Sequence, residues 1–165
     1  MSRMKKLFAP LLFTAVCLQA TESMAAEPEP GFITFYVGGK DVCRLRIEQG
    51  QTNLFIKEKG CRSGTIDEEG AIKLEGVRSA TTLSLSANYN RDPVNPAGCN
   101  NALGFEYVIR TIKDKLTTDE ITLSQIRTGT VGMPLVPGLK LMKVYEHAGE
   151  YPAYPSVRCL NIHFD

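Results

Sequence analysis

Hydrophobic and polar residues alternate with period two along much of the chain. In residues 42–48, Cys43, Leu45 and Ile47 fall on one side, and Arg44, Arg46 and Glu48 on the other. That is the signature of a half-buried strand. Residues 32–37 are β-branched and aromatic, and Gly38-Gly39-Lys40-Asp41 follows as a turn. Residues 32–48 are therefore expected to form a hairpin. Residues 53–57 read as a third strand and 60–64 as a loop. Further on, Ile72 and Leu74 alternate with Lys73 and Glu75, and Leu83 and Leu85 with Thr82, Ser84 and Ser86. Phe105, Tyr107 and Ile109 alternate with Glu106, Val108 and Arg110, and Leu139 and Leu141 with Lys140, Met142 and Val144. Residues 157–164 close the series, with Leu160, Ile162 and Phe164 on one face. Turn clusters punctuate these segments at Asp67-Glu68-Glu69-Gly70, Pro137-Gly138 and Pro152-Ala153-Tyr154-Pro155. About eight short strands with regular turn signals predict an all-β fold, an antiparallel Greek-key sandwich or barrel.

One segment carries two signals. Thr117-Thr118-Asp119-Glu120 matches a capping box and would open a helix over 118–127. Ile121 and Leu123 nevertheless alternate with Thr122 and Ser124, and the threonine content favours a strand, which is the expectation adopted.

The first residues stand apart from this pattern. Arg3, Lys5 and Lys6 precede an apolar run over 7–18, and Ser23-Met24-Ala25 offers small residues for cleavage. Residues 1–25 thus read as a secretory signal peptide cut after Ala25 or one position later. The run is too short to span a bilayer, and no transmembrane segment is expected. Val16 before Cys17 makes a poor lipobox, so Cys17 is read as an apolar residue of the signal. Residues 26–31 form a Pro-rich, flexible lead-in, and 32–165 a single domain.

Removing the signal changes the charge and cysteine counts. The full chain has 19 Lys+Arg against 18 Asp+Glu. The signal takes three basic residues and one acidic, leaving a net of −1. Nothing here suggests a nucleic-acid partner. Of 5 cysteines, Cys43, Cys61, Cys99 and Cys159 remain. In an exported protein they predict two disulfides with three possible connectivities. The preferred pairing is Cys43 with Cys61, at the edges of consecutive strands, and Cys99 with Cys159, tying the last strand to the middle loop. No cysteine pair has zinc-site spacing, no C-x-x-C occurs, and no metal or cofactor is expected.

Two segments suit recognition. Residues 88–101 form the longest expected loop, rich in Asn and holding Pro93, Pro96 and Cys99. Its tip would present Tyr89, Asn90, Arg91 and Asp92. Residues 148–155 place Tyr151 and Tyr154 beside prolines, as rigid contact groups. The plainer reading makes the first an Asx/Pro connection pinned by its disulfide, and folds both tyrosines onto the end of the fold. Arg44, Arg46, Lys57, Lys59 and Arg62 cluster in the first third. A patch for an acidic partner or glycan carboxylates competes there with the wet face of a sheet, and the wet face is preferred.

Catalytic sets are scarce. The mature chain has His147, expected in a loop, and His163, expected on the outer face of the last strand. Neither G-x-S-x-G nor H-E-x-x-H occurs. Gly38-Gly39-Lys40 lacks the spacing of a phosphate loop, and Asp67-Glu68-Glu69 reads as a solvated turn. A carboxylate pair such as Glu106 and Glu120 has no discriminating value. No enzymatic activity is expected.

The segment Ile33-Thr34-Phe35-Tyr36-Val37-Gly38, an aromatic strand ending at glycine, resembles the microbial βγ-crystallin pattern. So do the Ser-containing strand start in Val77-Arg78-Ser79-Ala80-Thr81-Thr82-Leu83-Ser84-Leu85 and a second unit opening over 83–90. The likeness covers residues 32–110 and implies a Greek-key sandwich. The family's calcium motif, paired Asp/Asn before Ser-Ser, is absent, so no calcium ligand carries over. The expectation is an exported periplasmic or secreted binding protein. It would act as an inhibitor or immunity-type protein that blocks a toxin or cell-wall hydrolase by loop insertion. A glycan- or envelope-binding module is the alternative, and a small hydrolase ranks below it.

Overall fold

A computed structural model describes residues 29–50, 53–61, 66–67, 69–87, 104–146 and 156–165. The chain runs through β1 (Gly31–Val37), β2 (Lys40–Ile47), β3 (Asn53–Phe55), β4 (Ala71–Glu75), β5 (Thr81–Ser86), β6 (Phe105–Thr111), β7 (Ile121–Thr122), α1 (Leu123–Thr128), β8 (Pro134–Val136), β9 (Leu139–Glu146) and β10 (Cys159–Phe164). These ten strands make two antiparallel sheets, ordered β2-β1-β4-β7 and β3-β10-β5-β6-β9-β8.

The alternation read from the sequence decides what each sheet buries. Ile33 and Phe35 of β1, Leu45 and Ile47 of β2, and Ile72 and Leu74 of β4 supply the inner face of the small sheet. Leu83, Leu85, Tyr107, Ile109, Leu139, Leu141, Leu160 and Ile162 supply that of the large one. All belong to one hydrophobic cluster. Each fully buried aliphatic side chain contributes about 1.5–3 kcal/mol of transfer free energy, so this shared core is the main cohesive term.

The hairpin expected over 32–48 is present as β1 and β2, with Gly38 and Gly39 both at positive φ in its turn. Cys43 and Cys61 are joined across a Cα–Cα distance of 5.0 Å. Cys43 lies in the edge strand β2, and Cys61 follows the edge strand β3, so this bridge fastens the two sheets along one side. Cys159 is wholly buried and is also disulfide-bonded. Cys99, its expected partner, lies outside the described residues.

Three expectations need correction. The segment 118–127 is not a strand: β7 keeps only Ile121–Thr122, and α1 follows. The helix opens on a capping box one turn later than the sequence motif suggested. Thr122 Oγ1 accepts from Gln125 N–H at 3.0 Å, and the Gln125 side chain accepts from Thr122 N–H at 2.8 Å. Leu123 and Ile126, three apart, bury the same helix face. The hydroxyls of Thr117 and Thr118 are used elsewhere, accepting from the backbone N–H groups of Gly76 and Leu74 at 3.1 Å each. Second, the strand expected over 53–57 stops at Phe55 and continues as a 3-10 turn over Ile56–Lys59. Third, no closed barrel forms among the described residues. A barrel needs every strand paired on both sides, whereas β2 and β7 edge the small sheet and β3 and β8 the large one.

Candidate functional site

Four neighbouring strands of the large sheet, β10, β5, β6 and β9, end in register at one edge. Ser86 lies opposite both Glu106 and Cys159, and Phe105 opposite Glu146. Two backbone bonds close the ladder there, from Ala87 N–H to the Phe105 carbonyl at 3.1 Å and from Arg158 N–H to the Ser86 carbonyl at 3.0 Å. Beyond them the chain leaves as the connection 88–103, between β5 and β6, and as 147–155, between β9 and β10. Both segments singled out for recognition are thus anchored on adjacent strand ends of a single sheet. Gly104 is required at this exit: its φ is +114°, and a Cβ there would stand 2.8 Å from the Ala87 carbonyl oxygen.

The anchoring end is braced on both faces. On the inner side, the stacked rings of Phe105 and Tyr107 have centroids 4.6 Å apart. The Tyr107 hydroxyl donates to Glu146 at 2.9 Å, and Arg127 of α1 meets the same carboxylate at 2.8 Å, so the helix is tied to the end of β9. On the outer side, Glu106 accepts from the Ser84 hydroxyl at 2.9 Å and pairs with Lys143. Lys143 also lies over the Tyr145 ring at 5.5 Å. Three strands are cross-linked by polar groups where the two connections depart. Held in this way, Glu106 links β5 to β9.

Tyr89, Asn90, Arg91, Asp92, Tyr151 and Tyr154 lie outside the described residues, as do His147 and Arg62. His163 is exposed on the outer face of β10, as expected, with Nε2 3.1 Å from the Asp165 carboxylate. Of the basic residues of the first third, Arg44 and Arg46 are engaged by nearby carboxylates. Arg44 pairs with Glu75 at 2.8 Å and stacks on Phe32 at 4.2 Å. Lys73 reaches the same carboxylate at 3.5 Å, and Arg46 turns to Glu48 at 2.6 Å. This is a solvated sheet face whose charges are locally balanced. Among the described residues no group of three or more His, Cys, Asp or Glu is placed to hold a metal, and no helix is long and apolar enough to cross a membrane.

Sequence reasoning overlooked a cleft at the opposite end of the fold. It has a volume of about 540 Å³ and is lined by Glu29, Arg46, Glu48, Arg78 and Phe164 among others. Its residues come from the start of β1, the end of β2, the turn before β5 and the end of β10. No local motif could announce them. The chain matches no family model, no curated protein and no solved structure. The βγ-crystallin resemblance therefore brings no functional residue to this fold.

Proposed function

We propose that this chain is an exported binding protein, an inhibitor or immunity-type protein that blocks a toxin or cell-wall hydrolase by loop insertion. The observation that carries this reading is the common anchorage of the connections 88–103 and 147–155 on adjacent, braced strand ends. Two connections fixed side by side can form one contact surface, and a rigid base lowers the entropy lost on binding. Pro93 and Pro96, with Cys99 bridged to Cys159, would stiffen the first of them. The Cys43–Cys61 bridge favours an oxidising compartment, the periplasm or beyond. The strand order β10-β5-β6-β9 supports a Greek-key description of the large sheet. On this reading the protein needs no cofactor, catalytic group or nucleic-acid partner.

The test starts by capturing the partner from a periplasmic extract and identifying it by mass spectrometry. Affinity for that partner is then measured with Tyr89→Ala and Arg91→Ala combined. Tyrosine and arginine dominate interface hot spots, so binding should weaken by about 2–4 kcal/mol while thermal stability stays near wild type. Unchanged affinity would shift the contact to Tyr151 and Tyr154. A glycan-binding module is the second reading. It draws on the outer face of the small sheet, where Phe32, Arg44, Lys73 and Glu75 lie together.

A further inference from the structure

The cleft at the closed end of the large sheet holds two arginines and two glutamates, and only one pair of them is joined. Arg46 meets Glu48 at 2.6 Å. Arg78 and Glu29 line the same cleft, carry opposite charges, and form no ion pair among the described residues, with each other or with any third group. Phe164, half-buried, gives the cleft an aromatic wall. The volume of about 540 Å³ falls within the range of roughly 300–1,000 Å³ typical of small-ligand sites.

Arg78 is exposed, yet its backbone is firmly held. Its carbonyl accepts from the hydroxyls of both Thr81 and Thr111, which are 0% and 1% exposed. On one side, Val77 forms a two-bond bridge with Leu116, at 3.0 and 2.7 Å. On the other, Ala80 donates to the Thr111 carbonyl at 2.9 Å and accepts from Asp165 N–H at 3.3 Å. Gly31 packs against this turn so closely that a Cβ would stand 2.8 Å from the Val77 Cα. Such fixing settles where the Arg78 side chain leaves the backbone, while its exposed guanidinium is ordered only on binding.

We propose that this cleft binds a small zwitterion, a free amino acid or short peptide with an apolar side chain. Arg78 takes the carboxylate through its planar donor fork, Glu29 takes the ammonium, and the apolar side chain lies against Phe164. A ligand with one charge only would leave the other cleft group unmatched. All the residues concerned lie at the strand ends opposite those from which the connections 88–103 and 147–155 depart, so this inference is independent of the loop reading.

Calorimetric titration of the mature protein with alanyl-leucine, its N-acetyl form, its C-terminal amide and free leucine tests it. Saturable binding of alanyl-leucine or leucine is expected, whichever is tighter naming the size of the natural ligand. Each blocked form should bind about tenfold more weakly, a difference of about 1.4 kcal/mol. Arg78→Gln should weaken the free dipeptide to the level of the amide and leave the amide unaffected. Glu29→Gln should do the same relative to the acetylated form. Equal affinity of the free and blocked dipeptides overturns the proposal, as does the absence of saturation by any of them at about 10 mM, ten times the concentration that corresponds to a binding free energy of about −4.1 kcal/mol.

Discussion

The two ends of the large sheet are built from the same strands and differ in what happens when those strands stop. At the closed end β5 and β6 terminate in side-chain hydrogen bonds added to backbone ones. Thr111 Oγ1 accepts from Thr81 N–H at 3.0 Å and donates to the Arg78 carbonyl, and Ile112 N–H reaches the Gly138 carbonyl at 2.9 Å. At the other end the backbone ladder closes at Ala87 and Arg158, and the chain departs into two connections rich in Asn, Pro and Tyr. Hydrophobic alternation is equally regular at both ends, so periodicity alone does not distinguish them. Buried hydroxyls with no hydrophobic signal hold the closed end. The loop end is held by charged and aromatic braces one residue in from the exit. A scaffold whose strand ends are held in this way can carry recognition on the connections that leave it.

The disulfides offer the largest test of that contrast. Non-reducing peptide mapping of the mature protein should find Cys43 joined to Cys61 and Cys99 to Cys159, with no free thiol. The first bridge spans 18 positions and joins the sheets at their edges. Replacing both of its cysteines by alanine should cost about 2–4 kcal/mol in chemical denaturation, mainly by releasing the unfolded chain. Replacing Cys99 and Cys159 should cost a similar amount and also weaken partner binding, because that expected bridge would anchor the proposed recognition connection. If the second double variant loses stability while binding is unchanged, the loop end is a structural cap.

The closed end has a smaller and sharper test. Thr111→Val keeps the shape of the side chain and removes its hydroxyl. Thr81 N–H is then left buried without its acceptor, and an unsatisfied buried donor costs about 1–3 kcal/mol. Denaturation midpoints should fall accordingly, with partner binding at the far end unaffected. A loss of binding would show that the two ends are coupled.

The hairpin of β1 and β2 was legible because its alternation is strict and its turn is a pair of glycines. The inner faces of β4, β5, β6, β9 and β10 were legible for the same reason. Helix α1 was not, because Ile121 ends a strand while Leu123 begins the helix, and together they mimic continued alternation. Thr117 and Thr118 deepened the ambiguity. Their hydroxyls look like caps in one dimension, but the fold uses them to satisfy N–H groups of Leu74 and Gly76, more than forty positions away. The cleft was illegible on similar grounds. Glu29, Arg78 and Phe164 share a cleft only because β1 packs on the turn before β5 and β10 pairs with β5. The loop end is an intermediate case. Composition pointed to each connection separately, and strand register brought their anchors together.

The smallest expected effect concerns His163, and it separates a binding protein from a hydrolase. His163 is exposed on β10, and its imidazole faces Asp165, whose carboxylate also takes Arg110 at 2.6 Å. Asp165 thus keeps a permanent cationic partner when the imidazole is removed. Exposed substitutions of this kind shift stability by about 0.5 kcal/mol or less. The neighbours of His163 along the outer face are Thr82 and Arg110, and among the described residues no nucleophile is hydrogen-bonded to its ring. A general base must lie within hydrogen-bonding reach of the proton it removes. His163→Ala should therefore leave the proposed partner inhibition at wild-type level, with a denaturation midpoint close to that of the parent. A folded His163→Ala variant that loses activity would place this histidine in the working site and favour the hydrolase reading.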